Sequence, residues 1–222
     1  MARSKRNKIV SLTKTDRKGR NLKSKLVDTL RDTLDEYKAV YLFSFENMRT
    51  EKFKEVRMYF RESRIYLGKN TIAQIALGRS PEEEYKCNLS KISEKLVGNV
   101  GLLFTNRPRK EVVRYFENFS HPDFAKAGAI ATETFILEPQ PLPQFPVSML
   151  NELRKMGMAV EIDDGTVMLR EPVTVMSDGV PLTPEQARML VKLDRKTITF
   201  QIRMECVWLE KGSKFIELAP AT

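Results

Sequence analysis

"RIYLGKNTIAQIALG", residues 64–78, joins a short apolar run to a helix-like pattern through Gly68, Lys69, Asn70 and Thr71. A glycine, a lysine and a hydroxyl residue between a strand and a helix is a common way to hold phosphate. The orphan N–H groups and the dipole at a helix start both favour an anion. The loop is not a Walker A motif, which places a glycine five residues before its Gly-Lys-Ser/Thr. Ser63 stands five before Gly68, and Asn70 follows Lys69, so the Thr71 hydroxyl comes one residue late. The three spaced glycines of a dinucleotide-binding fingerprint are missing as well. Two readings stay open from these residues alone: an anion site at a helix start, or a plain turn capped by Asn70 or Thr71.

Upstream of the turn, the spacing predicts a helix over about 51–63 with Phe53, Val56, Tyr59 and Phe60 on its apolar side. Lys54, Arg57, Arg61 and Arg64 then share one face. That face is either a solvated stripe paired with Glu51, Glu55 and Glu62, or a basic surface shared with Lys69 and turned toward a polyanion.

The charge of the chain is concentrated at its start. Ten of the 38 Lys and Arg residues lie in residues 1–25 (Arg3, Lys5, Arg6, Lys8, Lys14, Arg17, Lys18, Arg20, Lys23 and Lys25) against one acid, Asp16. This leaves 28 basic and 28 acidic residues for the remainder, so the net +9 belongs to residues 1–25. Such a block reads as nucleic-acid binding, nuclear import (Arg3, Lys5, Arg6, Lys8) or both, with a solvated tail as the bland alternative. The arm lacks the apolar region of a signal peptide. No apolar run approaches the roughly 18 residues of a membrane span. Two widely spaced cysteines, Cys87 and Cys206, argue against a disulfide framework and fit a reducing, intracellular compartment.

Leu22, Leu26, Leu30 and Leu34 predict an amphipathic helix closed by Tyr37, and "AVYLFSF" (39–45) and "VGLLFT" (100–105) predict buried strands. Ser80, Pro81 and Glu83 look like the capping box of a helix reaching about 97, and Pro108 opens another. Strands alternating with helices give an α/β class, a mixed sheet flanked by helices. The texture changes near 125. A proline-rich connection (138–146), a helix, a hairpin at Asp164-Gly165, a short strand and a helix capped by Thr183 make a small α+β module over 125–197. The final stretch is strand again and is expected to rejoin the first sheet. The expected organisation is therefore a basic arm (1–20), a discontinuous α/β domain (21–124 with 198–222) and an inserted α+β domain (125–197).

Nothing in the sequence builds a catalytic centre. His121 in "SHPDF" has an aspartate two residues on but no triad partners. Neither cysteine has a histidine nearby in sequence, and Asp163-Asp164-Gly165 lacks the later ligands of a calcium loop. Glu82–Glu84 reads as a helix first turn. The expectation is no enzyme, no cofactor and no metal.

The run "VYLFSFENM", "EVRMYFRESRIYLGKNT", "VGLLFT" resembles the large-subunit ribosomal stalk-base protein family in order, spacing and its Gly-Lys-Asn-Thr turn. "FPVSMLNELRKMGM" and "IDDGTVMLREPVTVMSDGVPLTPEQARML" are similar to the second domain inserted in its archaeal and eukaryotic members. The likeness covers roughly residues 20–215. Ribosomal members continue into helices that hold the stalk dimers and then an acidic tail, whereas this sequence stops at Thr222 and starts with a longer basic arm. It therefore looks like the family's nuclear ribosome-assembly branch. That resemblance implies binding to large-subunit rRNA at the stalk base, the GTPase-associated region, on pre-60S particles in the nucleolus and nucleus, with shuttling to the cytoplasm. It implies a placeholder, monomeric on the particle beside the neighbouring stalk-base ribosomal protein, exchanged by a release factor for the true stalk protein, and not a membrane protein. By the same resemblance Gly68, Lys69, Asn70 and Thr71 meet the RNA backbone. Lys54, Arg57, Arg61 and Arg64 extend the contact, as do Arg17, Lys18, Arg20 and Lys23. The rival readings are a structural protein of the mature subunit and, less favoured, an RNA-processing enzyme.

Overall fold

The computed structural model describes residues 19–218. Among them, 19–44, 56–113 and 203–218 form one compact unit, and 45–55 with 114–202 form a second.

In the first unit α1 (Arg20–Glu36) follows the leucine spacing. Leu30 and Leu34 are buried, Leu26 is partly so, and Leu22 is exposed. Next come β1 (Ala39–Glu46), α2 (Thr50–Tyr59), β2 (Arg64–Tyr66), α3 (Asn70–Leu77), α4 (Ser90–Glu94), β3 (Val100–Thr105) and α5 (Arg109–Glu117); residues 45–46, 50–55 and 114–117 of these elements belong to the second unit. β9 (Ile198–Leu209) and β10 (Lys214–Glu217) complete the sheet, whose order is β10-β9-β1-β3-β2. β3 pairs antiparallel with β1, Leu42 opposite Leu102, and with β2, Ile65 opposite Leu103. Val40, Leu42, Leu102 and Phe104 share a core with Leu34 of α1 and Leu77 of α3. Tyr41, Phe43 and Leu103 alternate to the other face and are buried too, which is why β1 and β3 read as unbroken apolar runs. Trp208 of β9 is buried and donates its indole N–H to the Cys87 carbonyl at 2.9 Å. Burial pushes the Cys206 thiol up to about 12, while Cys87 is exposed.

One predicted helix is only partly formed. Residues 80–89 form turns, and only Ser90–Glu94 is helical. The acid that looked like part of a helix first turn has another role. The Glu84 carboxylate accepts the Asn88 N–H at 2.8 Å, the Ser90 N–H at 3.0 Å and the Ser90 hydroxyl, folding the chain back ahead of α4. Tyr85 and Lys86 then tie the loop to Asp35 of α1 at 2.6 and 2.9 Å.

In the second unit β4 (Ser120–Asp123) pairs with the start of β9, Ser120 opposite Gln201. No strand signal marks residues 120–123 in the sequence; Pro122 sits in the strand, as proline can at an edge. His121 is half-buried, its ring edge-on to Phe119 with centroids 4.8 Å apart. β5 (Phe135–Leu137) pairs with β8 (Val173–Met176), and β6 (Val160–Asp163) with β7 (Thr166–Leu169). The β6–β7 turn has positive φ at Asp164 (45°) and Gly165 (76°), the hairpin expected of that pair. The proline-rich stretch runs beside β7: Leu142 N–H donates to Val167 at 2.8 Å, and Leu169 N–H donates to Gln140 at 3.0 Å. Leu142 and Phe145 are buried with Leu153 of α6 (Leu150–Lys155), so this stretch is part of the packing. α7 (Pro184–Lys192) carries a full capping box between Thr183 and Gln186.

Candidate nucleic-acid interface

β2 ends at Tyr66, and α3 begins four residues later, with Lys69 as its N-cap residue. No side chain caps this helix. The Lys69 carbonyl accepts the N–H groups of Ile72 (3.0 Å) and Ala73 (3.3 Å), while the first N–H groups of a helix have no intrahelical acceptor. Thr71 is therefore not the cap, and the Lys69 and Thr71 side chains at this helix start are exposed. Gly68 has a local cause. A Cβ there would lie 2.4 Å from the Tyr66 hydroxyl oxygen, because the tyrosine ring folds across the glycine. Its hydroxyl donates to the Lys69 carbonyl at 3.4 Å, and burial raises the Tyr66 pKa. Asn70 is half-buried, and its amide nitrogen donates to the Gly98 carbonyl at 3.0 Å.

The basic residues upstream are placed differently from a single helix face. α2 ends at Tyr59, so Arg61 lies in a turn and Arg64 opens β2. Past α2 the chain turns: Ser63 N–H bonds to the Phe60 carbonyl (3.0 Å), and the Ser63 hydroxyl to Thr105 Oγ1 of β3 (2.7 Å). Tyr59, expected on the apolar side, is exposed beneath the Arg107 guanidinium, 4.6 Å from the ring centroid. Arg57, Arg61, Arg64 and Lys69 are all exposed in the first unit, and Lys54 is exposed in the second. Glu55 pairs with Lys52 at 2.8 Å, not with Lys54. Among the described residues Arg61, Arg64 and Lys69 have no carboxylate partner, whereas Lys86, Lys95 and Arg107 each have one. Lys23 is exposed on α1. Arg3, Lys5, Arg6, Lys8, Arg17, Lys18 and the side chain of Arg20 lie outside what the structure describes.

The described residues contain no cluster of His, Cys, Asp or Glu able to hold a metal, and no helix long and apolar enough to cross a membrane. The turn therefore combines an exposed lysine, a helix start without a side-chain cap and a preceding strand that begins with an exposed arginine; positive groups of these kinds attract anions.

A family model described as ribosomal protein L10 matches residues 18–121, and one described as the insertion domain in the 60S ribosomal protein of that type matches residues 125–194. Ribosome assembly factor mrt4 of Dictyostelium discoideum is 38% identical over 210 residues, covering 95% of this chain and 94% of that one. The chain belongs to the mrt4 family. The mrt4 of Schizosaccharomyces pombe is 33% identical over 99% of this chain and 97% of its own. The large ribosomal subunit protein uL10 of Methanopyrus kandleri is more distant, 28% identical over 78% of this chain and 48% of its own. In this mrt4-family chain the L10 match takes in the whole Gly68–Thr71 turn with β2 before it and α3 after it, and the insertion match takes in β5 to α7.

Proposed function

We propose that this protein is a non-enzymatic ribosome biogenesis factor that binds large-subunit rRNA at the stalk base of pre-60S particles, holding the site until the ribosomal stalk protein replaces it. The relatives supporting this reading are named ribosome assembly factors, and they match nearly the whole chain. The observation that carries the RNA contact is the turn itself: exposed Lys69, the uncapped start of α3, and Arg61 and Arg64 without carboxylate partners among the described residues. Phosphate contacts of this kind fix register, and the shape of the folded RNA supplies selectivity. Residues 21–124 and 198–222 would form the RNA-binding domain, with 125–197 inserted in it. The position of β9 beside β1 and the separate insertion match support that division. The arm adds nonspecific attraction to RNA and nuclear entry. On the particle the protein is monomeric, neighbours the stalk-base ribosomal protein and is exchanged by a release factor.

Sedimentation of nuclear and cytoplasmic extracts tests the placeholder role. The protein is expected on nuclear and nucleolar pre-60S particles and scarce on polysomes. Stoichiometric presence on polysomes would instead make it a structural protein of the mature subunit.

A further inference from the structure

Val97 is 73% exposed, the most exposed of the large apolar side chains among the described residues. Single exposed apolar residues are ordinary on protein surfaces. What sets this one apart is how firmly its loop is held, and where. α3 supplies three hydrogen bonds to the carbonyls of residues 93–98: Asn70 to Gly98 at 3.0 Å, and Gln74 to Ser93 and Leu96 at 3.3 Å each. Leu96 is buried beside Val97, and Lys95 pairs with Glu217 at 2.7 Å. Asn70 directly follows Lys69, so the bond to Gly98 brings this loop against the Gly68–Thr71 turn. Gly98 has φ +77°, and a Cβ built on it meets no atom within 4 Å, so a ligand could approach its backbone from open solvent.

We infer that residues 95–99 form a second wall of the RNA site, with Val97 packing on the apolar face of a ribose or base next to the phosphate held at Lys69; this rests on the reading of the turn as RNA-binding. RNA is the occupant the geometry favours because its sugar and base faces are the apolar surfaces that lie beside its phosphates. A loop whose backbone is already held by hydrogen bonds also loses little freedom on binding.

The test uses the full chain and a stalk-base rRNA fragment, with binding measured across a range of salt concentrations. Val97→Ser is expected to weaken binding about three- to tenfold, the scale of burying part of one aliphatic side chain. The log–log salt slope should not change, because an apolar contact releases no counterions. Val97→Ile should bind like the native chain. Lys69→Glu, by contrast, should reduce the magnitude of the slope by about one unit. Trp208 fluorescence checks that each variant is folded. Unchanged affinity in Val97→Ser while Lys69→Glu weakens binding overturns this inference alone. A Val97→Ser loss that comes with a reduced slope overturns it too, since the loop would then be acting through the charged turn. If neither variant changes affinity, the RNA reading of the turn falls and the inference with it.

Discussion

A chain lacking residues 1–20 binds the stalk-base rRNA fragment with a log–log salt slope smaller in magnitude by roughly 3 to 4 units, if about four of the deleted cations touch phosphate. The deletion removes Arg3, Lys5, Arg6, Lys8, Lys14, Arg17, Lys18 and Arg20, and with them most of the positive excess of a chain otherwise balanced in charge. Each cation that neutralises a phosphate releases condensed counterions, so the slope counts contacts directly. Discrimination between the stalk-base RNA and an unrelated hairpin changes less, because the Gly68–Thr71 turn and the arginines before it remain. Nuclear enrichment is lost as well. An unchanged slope together with normal nuclear accumulation would make the arm a solvated tail.

Gly78→Ala destabilises the first unit by about 3 kcal/mol or more, from two sources acting together. Gly78 caps α3 with φ +104°, a backbone conformation that L side chains rarely adopt. A Cβ there would also lie 2.6 Å from the Glu83 carbonyl oxygen and from the Glu84 Cα, both backbone atoms that cannot rotate away. Shifting them disturbs the Glu84 bonds that fold residues 80–90. Gly98→Ala is the control, with positive φ but open space, and should cost only about 1 kcal/mol of backbone strain. Urea unfolding followed by the fluorescence of Trp208, the one tryptophan and a core residue of this unit, measures both. Equal stabilities for the two variants would contradict the close approach at Gly78.

Much of this architecture is legible in the residues, and the failures share a physical cause. Strands β1 and β3 could be read because both their faces are buried and nearly every side chain is apolar. The β6–β7 hairpin was visible in Asp164-Gly165, and α7 in Thr183-Pro184, because those signals act within a few residues. The helix expected over 80–97 failed where a local signal had a competitor. Glu84 found better donors at Asn88 and Ser90, and Tyr85 and Lys86 found Asp35, about fifty residues away in sequence. The basic face failed where α2 ends at Tyr59: the chain turns there, with the Ser63 hydroxyl bonded to Thr105 of β3, 42 residues on. Within the site, Gly68, Lys69 and Thr71 stood out from sequence. The Tyr66 ring across Gly68 and the loop around Gly98 did not, because contacts of that kind leave no periodic trace.

Whether the Gly68–Thr71 turn lies on the RNA surface is read from the affinity of Lys69→Glu for the stalk-base rRNA fragment. Lys69 is exposed and has no ion pair among the described residues, so the substitution should leave the fold intact by circular dichroism. The expected result is a loss of about 1–3 kcal/mol of binding free energy. A folded Lys69→Glu chain that binds with native affinity would contradict it.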